Sequence, residues 1–190
     1  MKKIIFFFSL LIVSQSALAD WVLDKDQSIL NFITTKNASK TEIQSFEVMQ
    51  GHIKGNQATL RVDLSSVDTG IDIRDDRLRT LFFNIAKFPE AAASLKIAPA
   101  DIKAIKLGYS EKMSLDAVID LYGVKQTLPV VVQVTRLKEG KLLVFSKQPL
   151  IVNLKNFNLL EGLNKLRDIA KLQSINVAVP VTFSLLFTKK

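Results

Sequence analysis

The strongest constraint on this chain is an alternation of apolar and polar residues that recurs along most of its length. It is clearest near the C-terminus, where Val177, Val179, Val181, Phe183, Leu185 and Phe187 share one face. Successive side chains of a strand point to opposite sides, so this period of two marks a half-buried strand. Met113, Leu115, Ala117, Ile119 and Leu121 repeat the pattern, as do Leu128, Val130, Val132 and Val134. The short segment Tyr122 to Gln126 between these two runs predicts a hairpin. Earlier, Ala58, Leu60, Val62 and Leu64 alternate with Thr59, Arg61 and Asp63. Trp21 to Leu23, Ser28 to Thr35, Phe46 with Val48, Ala91 to Ile97, Leu142 to Phe145 and Leu150 to Leu154 complete the set. Gly51 and Gly55 punctuate the early strands, and Pro99 to Gly108 reads as a connection. Roughly eight strands, each with one apolar face, predict an all-β domain. Closure into an antiparallel barrel buries those faces most economically, with a two-sheet sandwich as the alternative. Pro180 lies on the opposite face from Val179 and Val181, which marks an edge or a bulge at that point.

Two stretches interrupt the strand rhythm. After the turn Asp68-Thr69-Gly70, Asp72 is the expected N-cap of a short helix, with Asp75 and Asp76 in its first turn. Leu78, Leu81, Phe82 and Ile85 would form its apolar face, and Phe88-Pro89 would end it. Leu159, Leu160, Leu163, Leu166 and Ala170 predict a second helix over Leu159 to Leu172. That helix reads as a lid, as wall packing, or as a membrane-docking element using Leu163 and Leu166 with Lys165 and Lys171 nearby.

The first residues read as an address. Lys2 and Lys3 precede the apolar run Ile4 to Val13, and Ala17-Leu18-Ala19 forms a small-residue cleavage site. Residues 1–19 are therefore expected to be a cleaved signal peptide, residues 20–190 one mature domain, and the destination the periplasm. No Cys follows the site, and none occurs anywhere, so disulfides and thiol chemistry are excluded. Loss of Lys2 and Lys3 with the leader takes the formal charge from +8 to +6. An exported, mildly basic domain suits anionic membrane surfaces or acidic ligands before nucleic acid.

Catalytic motifs are thin. His52 is the only histidine and neighbours Gly51 in what reads as a turn. No G-x-S-x-G, H-E-x-x-H or zinc spacing is present. Asp72, Asp75 and Asp76 do not form an EF-hand loop, and their place at a helix start accounts for them without a metal. The expectation is a non-enzyme with no cofactor.

The stretch SSVDTGIDIRDDRLRTLFFNIAKFP, Ser65 to Pro89, together with DAVIDLYGVKQTLPVVV, Asp116 to Val132, resembles the signature of the YceI family. The likeness covers nearly the whole mature chain and weakens after Leu150. It implies a lipocalin-like eight-stranded antiparallel barrel with two short helices. It also implies export in bacteria and an apolar tunnel for an isoprenoid-type lipid, a quinone or a polyprenyl chain. Members commonly carry His at the position of Arg77 and acids at Leu81 and Asn84, and an Arg and Asp-Phe-Gly near Leu154 to Asn158, so the polar rim differs here. Under the resemblance, the tunnel lining falls to Phe32, Phe46, Leu60, Val62, Leu78, Phe82, Leu115, Ile119, Val132, Val134, Phe183 and Phe187. By pattern alone the same residues suit a filled core. The function expected is binding, carriage or sequestration of that lipid, with transient membrane contact. The alternative is a filled-core envelope stress or partner-binding barrel. The oligomeric state is left open.

Overall fold

The computed structural model describes residues 20–190; the expected signal peptide lies outside the described residues. Eleven strands form one antiparallel sheet: β1 (Trp21–Lys36), β2 (Lys40–Phe46), β3 (Met49–Lys54), β4 (Gln57–Asp63), β5 (Val67–Asp68), β6 (Glu90–Lys96), β7 (Ser110–Leu121), β8 (Val124–Arg136), β9 (Lys141–Ser146), β10 (Leu150–Asn153) and β11 (Ala178–Lys189). A pairing of β11 with β1 closes the sheet. β2 and β3 pair with the two ends of the same edge of β1, so they act as one broken strand. β9 and β10 likewise share one edge of β11. β4 and β5 in turn run along the other edge of β3 and β2, so counted this way the molecule is a closed eight-stranded antiparallel barrel, as the alternation predicts.

Local chemistry sets the joints. The β7–β8 hairpin turns in two residues, Tyr122 and Gly123, both with positive φ of 55° and 73°. That is the backbone twist a tight hairpin requires. Glycine is needed at position 123, since a Cβ there would stand 2.7 Å from the Phe88 ring. The expected break between Trp21–Leu23 and Ser28–Thr35 is instead a bulge in one long strand, with a register shift between Asp24 and Ile29. Gly51 and His52 lie within β3 rather than in a turn, with Gly51 buried and His52 facing outward. Pro180 pairs with Ile151 of β10, just beyond Val181, where the β1 ladder ends. Its missing N–H therefore leaves no gap in that ladder.

Three α-helices accompany the barrel, one more than the sequence pattern predicts. α1 spans Asp72–Arg77, α2 spans Pro99–Ala104 and α3 spans Leu160–Ile169. The missed one is α2, in the segment read as a connection. It starts at Pro99 and buries Ile102, next to the buried Ile105. Ile102 packs with Trp21, Leu142, Leu185 and Phe187, so α2 stands at one end of the barrel. At the other end, a π-helical turn (Leu78–Phe82) that continues α1, together with α3, packs with Phe32, Leu64, Val152, Phe157 and Val179.

The π-turn changes which residues of that first helical segment face inward. The Phe83 N–H donates to the Leu78 carbonyl at 2.8 Å, five residues back. The extra residue rotates the following turn. Phe82 and Phe83 are both buried, while Leu81, expected on the apolar face, is 37% exposed. Ile71, not Asp72, occupies the N-cap position. Asp75 is buried and accepts from the Thr69 N–H and hydroxyl, so it holds the preceding turn rather than facing solvent.

Candidate functional site

The inward faces do not meet. They enclose a cavity of about 430 Å³ between the barrel wall and the α1, π-turn and α3 cover. Leu30, Phe32, Phe46, Leu60, Val62, Ile119, Val152, Val179 and Phe183 line it from the strands. Leu78, Phe82 and Phe83 line it from the π-turn region, and Leu163 and Leu166 from α3, with Ala170 at that helix's C-cap. Aromatic rings step along one wall: Phe32 to Phe46 at 5.2 Å, Phe46 to Phe83 at 5.9 Å, and Phe83 to Phe82 at 4.8 Å between centroids. A second cavity of about 120 Å³ lies deeper, toward α2, and Ile102 contributes to its wall. A cavity lined by hydrocarbon side chains has nothing to hold water and accepts apolar guests.

Of the twelve residues expected to line a tunnel, Phe32, Phe46, Leu60, Val62, Leu78, Phe82, Ile119 and Phe183 reach the large cavity. Leu115, Val132, Val134 and Phe187 reach only the small one. Phe83, Leu150 and the α3 leucines were missed as lining. Phe83 was hidden by the π-turn, which breaks the helical spacing used to read that segment. Leu163 is buried against the cavity, so it is not available as a membrane-docking residue.

The polar residues gather at one edge. Lys36, Arg74 and Arg77 are the ionisable side chains lining the large cavity, beside Thr34, Gln44 and Asn176. Glu42 ties two of these cations together, at 2.5 Å from Lys36 and 2.6 Å from Arg74, with Lys40 at 3.2 Å. The hydrogen bond from Lys36 is the main reason its carboxyl is held down to about 2, with Lys40 and Arg74 adding to the effect against partial desolvation. Gln44, also buried, exchanges hydrogen bonds with the Thr34 hydroxyl. Arg74 further donates to the Thr69 hydroxyl and carbonyl, so this ion network pins α1 to the β1–β2 hairpin. At the same rim Ile71 and Ile73 line the cavity yet are 49% and 57% exposed.

This geometry has counterparts among known proteins. The profile of the YceI-like domain matches residues 21–187. The chain belongs to the YceI family. A polyisoprenoid binding domain from Saccharophagus degradans, implicated in plant cell wall breakdown, is 32% identical. The match covers 91% of this chain and 99% of that one, with a TM-score of 0.87. Burkholderia cenocepacia BcnA shares the fold at 17% identity over 86% of this chain and 98% of its own, with a TM-score of 0.68. A Campylobacter jejuni YceI protein mutant with a monobromobimane guest is similar at 14% identity over 73% of this chain and 82% of its own, with a TM-score of 0.50. A search of curated proteins finds no match. Among the described residues no group of three or more His, Cys, Asp or Glu is placed to hold a metal ion.

Proposed function

We propose that this YceI-family barrel binds one isoprenoid-type lipid, a polyprenyl chain or quinone tail, and carries or sequesters it in the periplasm. The observation that carries the reading is the large cavity: hydrocarbon side chains surround about 430 Å³ that they do not fill. The kinship with a polyisoprenoid binding domain supports it. A filled-core barrel would need the same side chains to meet, and here they stand apart.

The energetics favour a hydrocarbon chain without any dedicated polar contact. Burial contributes about 0.8 kcal/mol per methylene, so a five-carbon isoprene unit gains on the order of 3–4 kcal/mol gross. A few units reach micromolar affinity after the costs of ordering. The chain lies along the aromatic wall and its head remains among Gln44, Arg74, Arg77 and Asn176 at the rim. Loading and release take place at a membrane, with Ile71 and Ile73 meeting the lipid surface in place of the buried Leu163. Periplasmic delivery rests on the leader-like pattern of residues 1–19, and N-terminal sequencing of exported protein should begin at Asp20.

Lipid extraction and native mass spectrometry of protein purified from a bacterial envelope test the reading. One prenyl lipid per chain is expected. Protein that emerges empty and takes up no added prenol contradicts it.

A further inference from the structure

Three cations line the large cavity and no carboxylate does. Two of the three already have anionic partners. Glu42 stands 2.5 Å from Lys36 and 2.6 Å from Arg74, and Arg74 also donates to the Thr69 hydroxyl and carbonyl. Arg77 differs. Among the described residues its guanidinium has no ion pair and no hydrogen bond, unlike those of Arg74 and Arg79 on the same segment. Helix geometry accounts for this. Residues one turn apart share a face, so Ile73, Arg74 and Arg77 fall together on the side of α1 that lines the cavity. The acids of α1 are engaged elsewhere. Asp75 is buried and accepts from the Thr69 N–H and hydroxyl, and Asp76 pairs with Arg79 at 2.9 Å. Asp72, one turn before Asp76, shares that outward side and is exposed. Arg77 is therefore a half-buried cation at an apolar opening with no counter-charge on its own face.

Asn176 adds a second donor at the same edge. Its Oδ1 accepts from the Ala178 N–H at 2.9 Å, which leaves its amide N–H groups without a partner among the described residues. A guanidinium beside hydrocarbon favours an anion, because it can give a carboxylate or phosphate two parallel charge-assisted hydrogen bonds. A quinone carbonyl or an alcohol receives only ordinary hydrogen bonds there, and those contribute about half as much. We infer that Arg77 is a specificity-determining residue that selects a prenyl chain with an anionic head, a phosphate ester or a carboxylate, over one ending in a neutral quinone or alcohol. The hydrocarbon supplies affinity through the cavity, and Arg77 reads the charge at its mouth. This inference rests on the proposed prenyl site and adds to it the chemistry of the head.

Affinities for farnesol, farnesyl phosphate and farnesoic acid, measured with the full mature chain, test it. In the wild type at least one of the two anions should bind about tenfold or more tighter than farnesol at roughly 50 mM salt, and the tighter one names the head. Raising the salt to roughly 500 mM should erode that advantage severalfold without weakening farnesol, a comparison that needs no variant. Arg77→Gln keeps a hydrogen-bonding side chain and removes the charge, so it should bring both anions to within about threefold of farnesol. Arg77→Lys keeps the charge without the fork and should restore part of the preference. Wild-type protein that binds farnesol as tightly as both anions overturns the role of Arg77 and leaves the prenyl site standing. A preference of wild-type size in Arg77→Gln overturns it too. Failure of all three compounds to bind overturns the prenyl site itself, which separates the two failures.

Discussion

Gly162 offers the sharpest test of how the cavity is covered. It is the third residue of α3, and a Cβ there would stand 2.8 Å from the Leu81 carbonyl oxygen and 3.0 Å from the Phe82 Cα. Both neighbours are backbone, so neither can rotate away. Two effects oppose each other in Gly162→Ala. Alanine in a helix is favoured over glycine by about 1 kcal/mol. Overpacking against immobile atoms costs about 1–3 kcal/mol, because α3 must lift and loosen the contacts of Leu163 with Phe82 and Phe83. The clash should win, with a net loss of about 1–2 kcal/mol. At a urea slope of about 2 kcal/mol per molar, the midpoint should fall by roughly 0.5–1 M with the slope unchanged. The same lift widens the cavity mouth, so farnesol should dissociate faster. A variant as stable as the wild type, or more stable, would show that α3 does not press on the π-turn and would refute the reasoning.

Two further outcomes follow from the rim. Glu42 has a carboxyl held down to about 2. A lowered folded value means that its contribution is complete at neutral pH and is lost as pH falls from the ordinary value of 4.5 through about 2. The wild type should therefore lose on the order of 2–3 kcal/mol across that window beyond what Glu42→Gln loses, read by urea melts at stepped pH. Parallel slopes for the two proteins would remove Glu42 as the anchor of α1. Ile71→Asp with Ile73→Asp changes two exposed side chains, so stability should move by no more than about 0.5 kcal/mol for each. Farnesol uptake from phosphatidylglycerol vesicles should slow severalfold, by more than the affinity for dissolved farnesol falls, and equal uptake by both proteins would dismiss rim docking.

Much of the architecture is readable from the alternation alone. A strand with one buried face keeps its register because a slip of one residue would turn every apolar side chain outward. Val132, Val134 and Phe187 reveal their inward orientation for that reason. Their depth along the barrel is another matter. Period two says which face a residue is on but not which end of the barrel it reaches. That is why Leu115, Val132, Val134 and Phe187 line the deeper cavity rather than the main one. The helical segment misled in a different way. Leu81 and Phe82 fit a spacing of 3.6, yet the π-turn exposes Leu81 and brings Phe83 inside. The covering helix was legible as amphipathic, but its partner was not. Leu163 could face lipid or protein by pattern, and the glycine before it allows the close approach that buries it against the π-turn.

The central claim is that hydrocarbon occupies the interior of this barrel. Methyl-labelled protein titrated with farnesol and followed by NMR reports it residue by residue. Shifts should concentrate at Val62, Ile119, Val152 and Val179, which line the large cavity, and leave the outward-facing Ile43, Val118 and Ile151 in place. Shifts confined to those outward methyls, or none at saturating farnesol, would contradict the account.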